Sequence, residues 1–339
     1  MAHPPMQPGW IDRPHLRMAL GDLQLENGDA IRDCSLSYVV HGELALRDRP
    51  VVLALSAVAS NHHRLDFLIG SGRALDPDRC TVIAVDAIGN GLSTSPSNSR
   101  TQAGMAFPNF TIRDMVTSQA ALLDRLGIGQ VHAVIGASMG GMQALQWAVS
   151  HPARMRRVVA MTPMARTTPW SAAINETSRR ALLADPATLS GGRAGWSAWV
   201  PLMHLLSGRT PEQVDGQFAG AADTLAWIDE RVRWWEAQGF AAIDWIYQSK
   251  AYDAHDVGTT PGFGGDTSAA LASIHARVLI LAAQLDLYNP AHAAREAAAG
   301  IAGSRFVEIA SAWGHQSAGP SDSDAAIMLN REIGEFLMF

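Results

Sequence analysis

Three side chains have the types and the chain order that nucleophilic acyl chemistry needs: Ser138, Asp286 and His315. A serine hydroxyl is a poor nucleophile at neutral pH and requires a base to take its proton. Ser138 lies in Gly136-Ala137-Ser138-Met139-Gly140, where an apolar, β-favouring run stops and a helix-favouring run begins. Strand, sharp turn and helix with a serine at the corner form a nucleophile elbow, whose glycines remove the Cβ atoms that would clash. The turn lifts the hydroxyl above the strand end, and the helix behind it aims free N–H groups at whatever sits there.

His315, in Ser311-Ala312-Trp313-Gly314-His315-Gln316, follows the last predicted strand and is the best placed of the twelve histidines to be the base. His132 sits within the elbow strand and is expected to point into the fold, while His3 and His15 are near the start of the chain. Asp286 follows a strand ending at Ala283. There it would hold the tautomer of His315 and stabilise the imidazolium without taking the proton. Asp253 and Asp256 are competing acids. An oxyanion hole needs two backbone donors: the N–H of Met139, directly after the nucleophile, and that of Leu55 at the end of an earlier strand, with Ser56 next in order. The pair His62-His63 raises the question of a metal, but no third ligand accompanies it at a recognisable spacing, so a loop or pocket-wall role is expected.

The elements that must position these groups are legible as patterns. Residues 17–25 and 31–41 alternate around Asn27-Gly28, a hairpin signal, and read as antiparallel edge strands. Residues 51–56 and 80–86 are continuous apolar runs, the mark of strands buried on both faces. A helix is expected from Leu65 to Leu75 between them. Asp86-Ala87-Ile88-Gly89-Asn90-Gly91-Leu92-Ser93 is a glycine-bearing loop with no helix after it, so it is not read as a dinucleotide site. Thr111-Ile112-Arg113-Asp114 resembles a capping box, and apolar residues at helical spacing follow up to Gly127. Strands are expected at 157–161, 276–283 and 304–309. Asn289-Pro290 is expected to cap a helix reaching Gly300, and a last helix to run from Asp322 to Phe339.

Between about residues 165 and 272 the strand–helix alternation stops and helices with loops take over. Seven of the ten tryptophans fall there. This is expected to be a helical cap or lid inserted into a core formed by residues 1–164 and 273–339. The fold expected is α/β, with a doubly wound, mostly parallel sheet.

Composition narrows the function classes. Net charge is −6, the basic residues are dispersed and Lys250 is the only lysine, so neither nucleic acid nor an anionic membrane surface is expected as partner. Cys34 and Cys80 are expected to be buried free thiols. The first residues lack a basic region followed by an apolar core, and no apolar run is long enough to span a bilayer, so a soluble cytoplasmic protein is expected.

With these residues in place, a resemblance is evident. Residues 111–116 (TIRDMV), Leu126-Gly127-Ile128, the run 136–148 (GASMGGMQALQWA), residues 252–258 (YDAHDVG), Asp286 with Pro290, and Gly314-His315 resemble the homoserine O-acetyltransferase family. The resemblance runs from about Pro50 to the C-terminus. It implies an α/β-hydrolase fold, a Ser–Asp–His triad at Ser138, Asp286 and His315, an acyl-enzyme, and often a homodimer. It calls for no cofactor, with acetyl-CoA as co-substrate where the reaction is a transfer.

Some positions depart from the family pattern. The usual His-Ala-Leu-Thr-Gly is Leu53-Ala54-Leu55-Ser56-Ala57 here, Gln316 stands where an aspartate usually follows the histidine, and residues 196–204 contain no arginine. An α-carboxylate buried without a cationic partner is costly. The first expectation is therefore an acyl-ester hydrolase acting on small, acetyl-type esters of uncharged alcohols. The alternative is an O-acyltransferase moving acetyl from acetyl-CoA to homoserine or a less charged alcohol, and a second alternative is a binding protein with a vestigial site.

Overall fold

In the computed structural model, residues 3–45, 49–190 and 193–339 are described. In chain order the elements are strands β1 (Leu16–Gln24), β2 (Ala30–His41), β3 (Val51–Leu55) and β4 (Thr81–Val85), helix α1 (Ile112–Arg125), strand β5 (Val131–Ala137), helix α2 (Met139–Ser150) and strand β6 (Met155–Met161). Helices α3 (Pro169–Leu183), α4 (Ala194–Leu206), α5 (Pro211–Gln217), α6 (Ala221–Gln238), α7 (Ala242–Asp253) and α8 (Thr267–Ala272) follow. The chain then closes with β7 (Arg277–Ala283), α9 (Ala291–Gly300), β8 (Arg305–Ile309) and α10 (Ser323–Leu337).

The strands form one eight-stranded sheet in the order β1-β2-β4-β3-β5-β6-β7-β8. β1 and β2 pair antiparallel, β2 joins β4 antiparallel, and every later pairing is parallel. The continuous apolar runs explain why β3 to β7 sit inside: Leu53, Ile83, Val134, Val158 and Ile280 belong to the core on one face, while Val52, Val82, Ile135, Val159 and Leu279 belong to the core on the other. Each face is covered by helices, as parallel sheets require. The loops that leave β3, β5, β7 and β8 at their C-terminal ends meet on one side of the sheet, where open α/β sheets bind their ligands.

The capping box at Thr111 forms, with Asp114 closing it, and Gly127 takes a left-handed conformation after the helix. Both cysteines are buried and free, and burial pushes their thiols up to about 12. The helix expected over Leu65–Leu75 is instead a short 3₁₀ segment, His62–Leu68. Its side chains engage locally, His63 with Asp66 and Asn61 with the His63 N–H, and Gly70 and Gly72 adopt positive φ, which a helix cannot continue through. Asn289 does not cap α9 either; its amide donates to the Thr162 carbonyl. Among the described residues no helix is long and apolar enough to cross a membrane.

All of α3 to α8 fall between β6 and β7. Trp196 and Trp199 of α4, Trp235 of α6 and Trp245 of α7 pack ring against ring, with Trp199 at 5.2 Å from Trp235 and 5.3 Å from Trp245. Trp196, Trp199 and Trp245 belong to the same buried cluster as Leu53 and Val134 of the sheet, so these aromatic contacts extend the core into the inserted helices.

Candidate active site

The elbow is built by close backbone packing between β5 and α2. Ser138 has φ 57° and ψ −124°, a conformation that side-chain-bearing residues rarely adopt. Surrounding contacts hold it there: Ser138 N–H donates to the Met161 carbonyl at 2.9 Å, and its own carbonyl accepts from Met142 N–H at 3.0 Å. A Cβ on Gly136 would lie 2.2 Å from the Gly140 carbonyl carbon, and one on Gly140 would lie 2.7 Å from the Leu55 carbonyl oxygen. Gly136→Ala is therefore expected to destabilise the protein by about 3 kcal/mol or more, since the opposing atoms are the Gly140 backbone. A urea melt reads this directly, and a variant within 1 kcal/mol of wild type at roughly equal m-value would contradict the packing described.

His315 reaches the elbow from the 3₁₀ turn Gly314–Ser317, after β8. Its Nε2 lies 2.8 Å from Ser138 Oγ and its Nδ1 lies 2.6 Å from Asp286 Oδ2. The other oxygen of Asp286 accepts the backbone N–H groups of Tyr288 and Asn289, each at 2.8 Å. All three side chains are nearly buried. The arrangement can carry a proton from serine to imidazole while the carboxylate stabilises the resulting cation.

Around this chain lie groups the sequence did not single out. The hydroxyl of Tyr252 donates to Asn289 Oδ1, and burial first, then the nearby Tyr288 and Asp286, drives it well above the ordinary phenol range. Tyr288 packs edge-on to the His315 ring at 5.2 Å and donates to Asn175 at 2.5 Å. Asn175 in turn donates to Asp253, which is paired with Arg179 at 2.6 Å. Asp253 thus braces the wall behind Tyr288 and does not reach His315. Asp256 accepts from Gly258 N–H and Thr267 Oγ1 in a turn. His132 is half-buried with its Nε2 2.8 Å from the Leu337 carbonyl, beside the end of α10 and far from Ser138 in the strand.

Ser138 and His315 open on a cavity of about 340 Å³, walled by Trp199, Trp234, Trp235 and Trp245 from α4, α6 and α7 and by Ala57, Ser60 and Arg64 from the segment after β3. That volume suits a small molecule. A larger cleft of about 590 Å³ near Arg49, Gly127 and His132 lies at the opposite strand ends. Arg64 donates to the Ala318 carbonyl at 2.8 Å, has no carboxylate within ion-pair distance among the described residues, and burial lowers it to about 10. Leu55 ends β3 and Met139 opens α2, both buried beside the elbow. The Met139 N–H is in the first helical turn, where backbone donors have no intrahelical acceptor.

An α/β-hydrolase fold model matches residues 50–195. A homoserine O-acetyltransferase of Symbiobacterium thermophilum is 32% identical over 337 residues, covering 87% of both chains. The chain belongs to the homoserine O-acetyltransferase-like branch of the α/β-hydrolase superfamily. It is thereby an enzyme of that branch's chemistry, acyl transfer or hydrolysis at small esters. Among solved structures, the acetyl esterase MekB is 27% identical with a TM-score of 0.87, covering 96% of this chain and 97% of that one. An acetylester hydrolase from Corynebacterium glutamicum has the same fold, with a TM-score of 0.88 at 24% identity and 96% coverage of each chain.

The run that carries the likeness to homoserine O-acetyltransferases, 136–148, has a physical reading in this fold. Gln143 and Trp147 lie one turn apart on the buried face of α2. Gln143 Nε2 donates to the Ser56 carbonyl at 3.0 Å, Gln119 Nε2 donates to Gln143 Oε1 at 2.6 Å, and Trp147 Nε1 donates to Gln119 Oε1 at 2.7 Å. The network ties the elbow helix to α1 and to the end of β3, and so fixes Met139 at the start of α2 relative to Leu55 at the end of β3.

Proposed function

We propose that this chain is a serine-dependent O-acyltransferase that moves an acetyl group from acetyl-CoA, through Ser138, to the hydroxyl of a small acceptor bearing a carboxylate, of which homoserine is one. The observation that carries this reading is that the Ser138–His315–Asp286 chain opens on the same cavity as Arg64, a guanidinium with no carboxylate partner among the described residues. A carboxylated acceptor supplies the partner. The transferase names of the curated relatives support transfer over the ester hydrolysis favoured by the sequence.

In the first half-reaction His315 Nε2 takes the Ser138 proton as Oγ attacks the thioester carbonyl. The backbone N–H groups of Leu55 and Met139 receive the oxyanion, the C–S bond breaks, and His315 protonates the departing thiolate. In the second half the acceptor hydroxyl gives its proton to His315 and attacks acyl-Ser138, and collapse returns the proton to Ser138. The helices of residues 165–272 serve as a lid whose tryptophans keep water from the acyl-enzyme.

Hydrolysis is the second reading, with water as the acceptor. Gln316 beside the base, the arginine-free stretch 196–204 and the likeness to MekB favour it. Incubating the protein with acetyl-CoA and a panel of alcohols, with free CoA and acetate measured separately, distinguishes the two. CoA release that depends on a carboxylated acceptor, without acetate, is the expected result; acetate equal to CoA with no acceptor present would favour hydrolysis. Arg64→Gln is expected to raise KM for the carboxylated acceptor about 10- to 100-fold while KM for an uncharged alcohol changes little. Equal effects on both acceptors would remove Arg64 from substrate recognition.

A further inference from the structure

We propose that His3, His15, His62 and His63 form a binding site for one divalent transition-metal ion of the zinc type, clamping the N-terminal segment onto the rim of the active-site cavity. One ligand nitrogen from each ring lies within 4.8 Å of all the others. Nε2 of His63 is 3.1 Å from Nε2 of His3, and the His15 and His62 ring centroids are 4.4 Å apart. Tetrahedral zinc with nitrogen ligands places those nitrogens roughly 3.3 Å from each other, so a closing movement of roughly an ångström completes the shell.

Three further observations point to a ligand. His62 is buried and its Nε2 has no hydrogen-bond partner among the described residues, an unmet lone pair that a metal would satisfy. Both buried rings engage a carboxylate through the opposite nitrogen: His62 Nδ1 is 3.0 Å from Asp86 and His63 Nδ1 is 2.6 Å from Asp66. Ligating histidines characteristically donate their second N–H to such a group, which fixes the tautomer that leaves Nε2 free for the ion. Those two carboxylates also place two negative charges one hydrogen bond behind an otherwise neutral ligand set. Finally, the cluster is half-open: His15 is exposed and His3 only partly covered, which gives an ion a way in.

Four imidazoles without an oxygen ligand favour zinc, nickel or copper over magnesium or calcium. Four protein ligands leave no open position, which marks a structural site. The segment it would secure matters to the enzyme. Ile11 N–H donates to the same Asp66 oxygen that faces His63, Trp10 stacks on the His63 ring at 4.2 Å, and Gln7, Trp10 and His63 all line the cavity of Ser138.

The test uses the untagged full chain, stripped with chelator and titrated with Co²⁺, whose ligand-field bands report four-coordinate geometry. The expected result is one Co²⁺ per chain with strong visible absorption that Zn²⁺ abolishes. Asp66→Asn should weaken binding about 10- to 100-fold, the usual effect of removing a partner of a ligand. His3→Ala with His15→Ala should abolish binding, and their circular dichroism and metal-free melting temperature should match the stripped wild type, because neither ring is deeply buried. Ser138→Ala should bind the metal as wild type does, separating this site from the acyl chemistry. Absence of stoichiometric binding by the wild type, or binding that survives in the double variant, would overturn the proposal.

Discussion

Ser138→Ala is expected to lower kcat for acyl transfer about 10⁶-fold, the scale seen when the nucleophile of a hydrogen-bonded triad is removed. That corresponds to roughly 8 kcal/mol of lost transition-state stabilisation. The size follows from the geometry, because Ser138 Oγ is the group hydrogen-bonded to His315 Nε2 and the proposed mechanism forms its acyl-enzyme there. The variant should fold: the backbone contacts that hold the elbow, from Ser138 N–H to Met161 and from Met142 N–H to Ser138, involve no side-chain atom. Whatever rate remains would come from the oxyanion donors and from binding. Loss of labelling by a fluorophosphonate should accompany the loss of turnover. More than a hundredth of wild-type kcat in a sample free of wild-type enzyme would place the nucleophile elsewhere.

Much of the scaffold was legible because local patterns carry it. The central strands are continuous apolar runs, since β3 to β7 are covered on both faces, and a run of that kind needs no distant information to recognise. The elbow was legible for a related reason: strand, glycine, serine, glycine and helix are consecutive, so the strained corner is written in one stretch. Asp286 and His315 could be placed because each follows a strand, and adjacent strand ends converge in a parallel sheet. Arg64 and the histidine cluster were not legible. His3 and His15 meet His62 and His63 across a long sequence gap, through a segment docked by Ile11 and Trp10, and no spacing rule encodes such a meeting. Residues 196–204 contribute Trp199, Met203 and His204 to the cavity but no arginine, and Arg64 reaches it from the segment after β3, far away in sequence. The helix expected over Leu65–Leu75 failed where Asn61, His63 and Asp66 hydrogen-bond locally and compete with the helical ladder.

Asp286→Asn is expected to lower kcat about 10⁴-fold with a small change in KM, by reversing a tautomer while the geometry stays intact. Oδ1 of Asp286 accepts two backbone N–H groups at 2.8 Å, so an asparagine must place its amide oxygen there. Its NH₂ group then faces His315 Nδ1, which in the present structure lies 2.6 Å from Oδ2. Two donors cannot share that contact, so Nδ1 has to accept and the imidazole proton moves to Nε2. Nε2 is the atom 2.8 Å from Ser138 Oγ. It would then donate to the serine oxygen and could not take its proton, which stops general-base catalysis without moving any ring. Fluorophosphonate labelling should slow in parallel with turnover, because both begin with deprotonation of Ser138. An Asn variant retaining a tenth or more of wild-type kcat would mean that Asp286 does not set the tautomer of His315.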